Sequence, residues 1–360
     1  MVWFRRLNLL TLLLCFGVIV FGAYVRLSDA GLGCPDWPGC YGHLTVPDAE
    51  HEIARAEQRY PQRPVEAPKA WKEMIHRYLA STLGLLIVVL AAMSLRLRAA
   101  GAPRVLPWVL VALVIFQGIL GMWTVTWQLK PLVVTGHLLG GMTTMSLLLW
   151  MFLATRPRPL AVQVHTRERE YRSERHLAFE LQREVTAVAE DVSDPPPAGL
   201  RPFAALALLL VAVQIFLGGW TSTNYAALAC PDFPTCHGSY LPQTDLRTAF
   251  TLWHGLGINY EYGILDARAR VTIHYVHRVG ALVVATVLSL LALFLVRRGG
   301  SPGWRRYGLA VLGAVALQIG IGIGVVLLQF PLWLADAHNA GAALLLAVLV
   351  ALNHAAWTRR

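Results

Sequence analysis

Eight predominantly apolar stretches recur along the chain, at roughly 8–26, 75–96, 105–127, 133–154, 203–221, 272–296, 307–329 and 335–357. Each is close to the ~20 residues a helix needs to cross the hydrocarbon core of a bilayer. The pattern predicts an all-α polytopic membrane protein with eight transmembrane helices. An even number of crossings returns both termini to one side. Arg5, Arg6, Arg96, Arg98, Arg104, Arg156, Arg158, Arg297, Arg298, Arg305, Arg306, Arg359 and Arg360 all fall on that side. The positive-inside rule makes it cytoplasmic, although Arg55, Arg59, Arg63, Lys69, Lys72 and Lys130 are basic residues on the opposite face. The first stretch follows Arg5-Arg6 as a signal sequence would, yet it runs into Tyr24-Val25-Arg26-Leu27 with no small-x-small cleavage pattern. It is expected to remain as a helix.

Comparing the chain with itself reveals a repeat. Cys34-Pro-Asp-Trp-Pro-Gly-Cys40 returns 196 residues later as Cys230-Pro-Asp-Phe-Pro-Thr-Cys236, and Gly22 with Gly218, Leu32 with Leu228 and Gly42 with Gly238 keep that offset. Further on, His76-Arg77 and His277-Arg278, Gln117 and Gln318, and His137 and His338 match at an offset of 201. Two pseudo-symmetric four-helix bundles are therefore expected, 1–154 and 202–360, related by an axis along the membrane normal. Residues 155–201 lack a repeat partner. Arg and Glu interleave there from Arg167 to Glu184, and Pro195-Pro196-Pro197 follows, so a surface helix and charged linker is expected on the cytoplasmic side.

Composition agrees: 56% of residues are hydrophobic and 14% charged, which excludes an ordinary soluble enzyme. The net charge of +10 is explained by arginines at span ends, so nucleic acid is not an expected partner and the bilayer is.

Chemistry enters with the histidines. His76 and His137 sit at one depth near the outer ends of the second and fourth spans, and His277 and His338 do the same in the second half, 61 residues apart in both cases. An imidazole in a bilayer costs free energy unless its nitrogens find partners, so each is a candidate site residue. Two facing imidazoles suit the axial positions of a haem iron, with the macrocycle in the bundle centre. Arg77 and Arg278, each beside a ligand candidate, would serve as propionate partners, with Arg26 a weaker choice. Helix-to-helix hydrogen bonding is the alternative for a lone membrane histidine, and His354, without a repeat mate, keeps that reading. His43, His51, His237 and His254 in outer loops and His165 and His176 in the linker show no ligand spacing.

The halves differ three residues before the first ligand, Glu73 against His274. Positions i and i+3 share a helix face, so Glu73 is expected to project toward whatever His76 holds, as a general base or electrostatic stabiliser, unless it is an ordinary solvated residue at a helix start. Disulfides Cys34–Cys40 and Cys230–Cys236 are expected on the oxidising side of the membrane. They serve either as loop staples or, for Cys34–Cys40, in electron relay. Zinc binding does not suit pairs divided between two halves, and Cys15 within a span reads as packing.

Taken together, Glu73-x-x-His76-Arg77, His137 with Gly140, His277-Arg278 and His338 with Gly341, on eight spans with outer cysteine loops, resemble the haem A synthase family over nearly the whole chain apart from 155–201. The resemblance implies oxidation of a ring methyl of haem O to a formyl group by successive hydroxylations, giving haem A for cytochrome oxidase assembly. It implies that His277 and His338 ligate a resident haem b, with Arg278 beside it. It implies that His76 and His137 hold the substrate haem, with Arg77 nearby and Glu73 as the catalytic carboxylate. Implied partners are haem O, a haem O synthase as delivery partner, an electron donor of unspecified identity and, for some arrangements, a second copy of the chain. The implied location is a bacterial cytoplasmic membrane with both termini inside and the cysteine loops outside. Two other classes fit part of the pattern: a non-enzymatic di-haem b-type cytochrome, which would not depend on Glu73, and a membrane thiol-disulfide oxidoreductase, which would not need four matched histidines.

Overall fold

The computed structural model describes residues 1–156, 160–171, 180–191 and 194–359. Among the described residues eight long helices are apolar enough to cross a membrane, as the hydropathy pattern predicts: α1 (Val2–Leu27), α3 (Ala67–Arg96), α4 (Leu106–Thr126), α5 (Pro131–Ala154), α6 (Leu200–Thr223), α8 (Ala267–Arg298), α9 (Pro302–Leu327) and α10 (Leu332–Thr358). Two short helices, α2 (Glu50–Arg59) and α7 (Leu246–Ala249), lie in the loops that follow α1 and α6. The chain is a multi-pass membrane protein.

The long helices start where their first N–H groups are dispensable or capped. α3, α4, α5 and α9 carry proline in the first turn, where the missing donor costs nothing, and Asp266 accepts from Ala269 N at 2.7 Å to cap α8. Both α3 and α8 begin several residues before their apolar runs, so Glu73, His76, His274 and His277 are well inside helices.

Packing closes two rings. α1 touches α3, α3 touches α4, α4 touches α5 and α5 touches α1; α6, α8, α9 and α10 close a second ring in the same order. In each ring the two histidine-bearing helices, α3 and α5 or α8 and α10, stand diagonally opposed. The rings join through α1 with α10, α5 with α10 and α5 with α6, which makes α10 the most enclosed span, with 56% of its apolar window buried. One continuous apolar core runs through both rings, from Phe4, Cys15 and Leu148 to Leu288, Val311 and Leu349.

The segment between the halves departs from expectation. A surface helix was anticipated, but residues Leu160–Tyr171 (β1) and Glu180–Asp191 (β2) form an antiparallel two-stranded hairpin, Leu160 opposite Asp191 and Tyr171 opposite Glu180. The reason is legible afterwards: Val162, Val164, Thr166, Val185, Thr186 and Val188 are β-branched, and such residues favour extended backbone over helix.

The outer loops bind the two halves together. Tyr260 N donates to Gln128 O at 3.1 Å, Arg63 pairs with Glu261 at 2.8 Å, and Lys130, almost wholly buried, lies 3.0 Å from the Trp253 ring centre and donates to Gly255 O. Lys130 was one of the basic exceptions on the outer side. Its ammonium is held by aromatic faces and a carbonyl of the opposite half. Replacing it by the uncharged and slightly shorter methionine, Lys130→Met, is expected to lower stability by about 1–2 kcal/mol. It should also expose residues 250–264 to protease before any other part of the chain, and unchanged digestion there would remove this clasp from the account.

Candidate functional site

Each of the four matched histidines is wedged against a glycine of a neighbouring helix. A β-carbon on Gly22 of α1 would fall 2.6 Å from His76 Cε1, and one on Gly218 of α6 would fall 3.2 Å from His277 Cε1. One on Gly322 of α9 would fall 2.8 Å from His338 Cε1, and one on Gly121 of α4 would fall 3.5 Å from His137 Cε1. The bare α-carbon admits the edge of the ring, and the imidazole is located by packing within an apolar bundle. All four are partly buried.

A second layer is polar. Gln214 Nε2 lies 3.0 Å from His277 Nδ1 and donates to the His277 carbonyl at 2.9 Å. Gln318 Nε2 lies 3.3 Å from His338 Nδ1 and donates to its carbonyl at 3.0 Å. Both amides rest on glycines one turn beyond the histidine, Gly280 and Gly341, where any side chain would collide with them. Gln117 packs on Gly140 in the same way, although its Nε2 and the Nδ1 atoms of His76 and His137 have no hydrogen-bond partner among the described residues.

The donor chemistry fits a haem. Imidazoles come in diagonal pairs in each ring, the buried Nδ1 of His76 and of His137 has no partner among the described residues, and the bundle around them is apolar, which suits a metal already held in a porphyrin plane and needing only axial nitrogen. Among the described residues no three His, Cys, Asp or Glu side chains gather as a cage for a bare ion.

Glu73 and Arg77 are engaged with the cysteine loop. Glu73 is almost fully buried, accepts from Cys34 N at 3.0 Å and pairs with Arg77. Arg77 also donates to the carbonyls of Asp36, Pro38 and Gly39. The second half repeats the arrangement with different chemistry. His274 Nδ1 accepts from Cys230 N at 3.2 Å, which leaves the ring proton on Nε2 in contact with Arg278 Nε at 3.2 Å, and Arg278 donates to the Asp232, Thr235 and Cys230 carbonyls. The arginines predicted as propionate partners thus spend several of their donors on these loops. Arg26 reaches across the halves to Tyr225 Oη and Ser222 O, both at 3.1 Å.

The cysteine loops are twins. Cys34–Cys40 and Cys230–Cys236 are disulfides with Cα separations of 4.8 and 4.7 Å. In each loop one aspartate collects main-chain N–H groups: Asp36 from Tyr41 at 2.6 Å and Gly42 at 2.7 Å, Asp232 from His237 at 2.6 Å and Gly238 at 2.9 Å. The Thr235 hydroxyl and those N–H groups hold the Asp232 carboxyl well below the usual carboxylate range. Burial, opposed by Arg63, pushes the Tyr41 phenol up to about 12. A polar cleft of about 200 Å³ opens beside this loop between Asp29, Arg63, Lys69 and Glu261.

Cys15 is a buried free thiol, and His354 stacks edge-on against Trp150 near the cytoplasmic ends. His237 Nε2 bonds Ala229 O in its own loop, and His165 lies on β1; His176 falls outside the described residues. Sequence reasoning overlooked Gln214, Gly280, Gly121 and Gly322. The last two are separated by the same offset of 201 that relates the histidines, and that was the available signal.

The sequence profile of the COX15-CtaA family, described as cytochrome oxidase assembly protein, matches residues 5–350. A Heme A synthase of Shewanella oneidensis is 44% identical over 355 residues, covering 99% of this chain and 96% of the relative. Similar proteins of the same name from Allorhizobium ampelinum and Beijerinckia indica are 28% and 27% identical, covering 95% and 94% of this chain and 87% and 88% of theirs.

The glycine contacts rank the outcome of adding one methyl group. Gly22→Ala and Gly322→Ala force their imidazoles to move, an overpacking cost of about 1–3 kcal/mol. Gly121→Ala, with ordinary van der Waals room, should be near neutral. Haem retained per purified chain, measured by pyridine haemochrome, is expected to fall for the first two and hold for the third; equal retention in all three would show that glycine does not set ring position.

Proposed function

Because the chain belongs to the COX15-CtaA family of cytochrome oxidase assembly proteins, we propose that it acts as a haem A synthase, a membrane oxidoreductase whose substrate is haem O and whose product is haem A. The finer reaction is oxidation of one ring methyl of haem O to a formyl group. The observation that carries this reading is the set of four imidazoles in two diagonal pairs, each seated on a glycine, within a chain that matches haem A synthases from end to end.

In this reading the halves divide the work. His277 and His338 hold a resident haem b, which when bound supplies one-electron redox chemistry. Gln214 and Gln318 place an amide beside each Nδ1, and polar support at that nitrogen is usual around metal-bound imidazole. His76 and His137 receive the substrate. Glu73 is the residue assigned to proton handling there. Its counterpart His274 accepts the same loop N–H, so loop support alone does not require a carboxylate. Glu73 is also paired with Arg77.

Orientation follows from the arginines at the span ends. The termini lie in the cytoplasm and the cysteine loops on the outer side, where an oxidising compartment maintains both disulfides. A haem O synthase as donor of substrate and a separate electron donor complete the reaction system.

Glu73→Gln keeps an oxygen for the Cys34 N–H and removes the acid. It is expected to bind haem b normally and to lower haem A formation at least about a hundredfold. Haem extraction and chromatography after expression with a haem O source reads both quantities, and undiminished haem A would confine Glu73 to holding the loop. His277→Ala and His338→Ala should instead lower haem b per chain, and full haem b in both would end the assignment of the second half.

A further inference from the structure

The polar lock around the histidines is present at one end of the repeat and missing at the other. At His277 it consists of Gln214 from α6, which bonds the ring and the main-chain carbonyl, and Gly280, whose missing side chain makes room for it. Moving back by the offsets that align the halves, 196 for α1 with α6 and 201 for α3 with α8, the equivalent positions hold Val18 and Leu79. Both belong to the apolar core, and neither can donate or accept a hydrogen bond. His76 Nδ1 accordingly has no partner. At His338 the lock is Gln318 with Gly341; at His137 the residues Gln117 and Gly140 are present, although no bond to the ring is made.

We propose that His76 is the exchangeable one of the four histidines, released and re-formed as an axial ligand when haem enters and leaves the first half, because Val18 and Leu79 stand where Gln214 and Gly280 lock His277. This deepens the assignment of the first half to substrate and rests on it.

The physical argument concerns the second ring nitrogen. A ligating imidazole uses Nε2 and carries its proton on Nδ1, and an acceptor for that proton makes the ring a stronger and better oriented ligand; losing it typically weakens metal binding about 10–100-fold. Gln214 and Gln318 each have an Oε1 with no donor. In the structure each amide turns its Nε2 to the ring and to the main-chain carbonyl; turning the amide over about its last bond offers Oε1 to Nδ1–H and gives up the bond to the carbonyl. His76 has only aliphatic neighbours at the corresponding place, and its Nδ1–H would be unpaired in an apolar bundle whenever it ligates. A substrate site needs a ligand that lets go, and a resident cofactor needs one that does not. Gln214 and Gln318 are positioning residues in this account, and the pair Val18 and Leu79 sets the lability of His76.

Carbon monoxide reports the difference without turnover, since it binds reduced haem only where an axial ligand yields its place. The protein is purified with haem in both halves, using haem b as the probe for the first, then reduced and titrated with carbon monoxide in visible absorption. One haem per wild-type chain is expected to bind the gas readily and the other to resist. Val18→Gln with Leu79→Gly should reduce the reactivity of the first about tenfold or more. Gln214→Val with Gly280→Leu should make a second haem per chain reactive. Two equally reactive or two equally inert haems in the wild-type protein overturn the proposal whether or not either variant folds, while leaving the haem sites themselves in place. Failure of the first half to hold any haem, with one haem still bound in the second, overturns the substrate-site reading together with this one.

Discussion

An imidazole edge laid against a bare α-carbon is the contact on which the arrangement depends. In an apolar bundle hydrogen bonds reach only some of the rings, Gln214 and Gln318 beside His277 and His338, so shape carries much of the positioning. Gly22, Gly218 and Gly322 supply that shape, with Gly121 in looser contact, on four different helices, each adjacent in its ring to the helix that carries the histidine. Close helix approach and ring placement then have one cause, and the diagonal relation of α3 to α5 and of α8 to α10 turns four separate seats into two pairs.

Around those pairs the halves keep one geometry while changing the chemistry at chosen points. The residue three before the first histidine supports the cysteine loop in both, as carboxylate in Glu73 and as imidazole in His274. The glutamine locks are complete at His277 and His338 and incomplete in the first half. Two rings of the same helix arrangement thus carry different polar groups beside matched histidines.

Much of this was legible in the sequence because a bilayer leaves few options. The eight spans follow from hydropathy, the halves from the cysteine motif, and the four histidines from their constant separation. What escaped depended on contacts between helices distant in sequence. Gln214 looks like any polar residue in α6 until Gly280 is found beside it, and the reading of Glu73 from its own helix alone could not foresee the Cys34 N–H that comes to meet it. The segment from 155 to 201 was misread for a different reason: interleaved Arg and Glu suggested a helical surface, while the β-branched residues on either side of that run favoured the hairpin.

The clasp formed by Lys130, Trp253 and Tyr260, with Arg63 and Glu261, joins residues that have no counterpart arrangement on the other side of the repeat: the position matching Lys130 is Pro331. Duplication supplied two similar halves, and this contact made their order matter. The contacts run between residues 250–262 of the second half and Arg63, Gln128 and Lys130 of the first, so the two halves are not interchangeable at their outer ends. An exchange of halves in the chain would keep every span and every histidine and still part Lys130 from the aromatic faces that hold it.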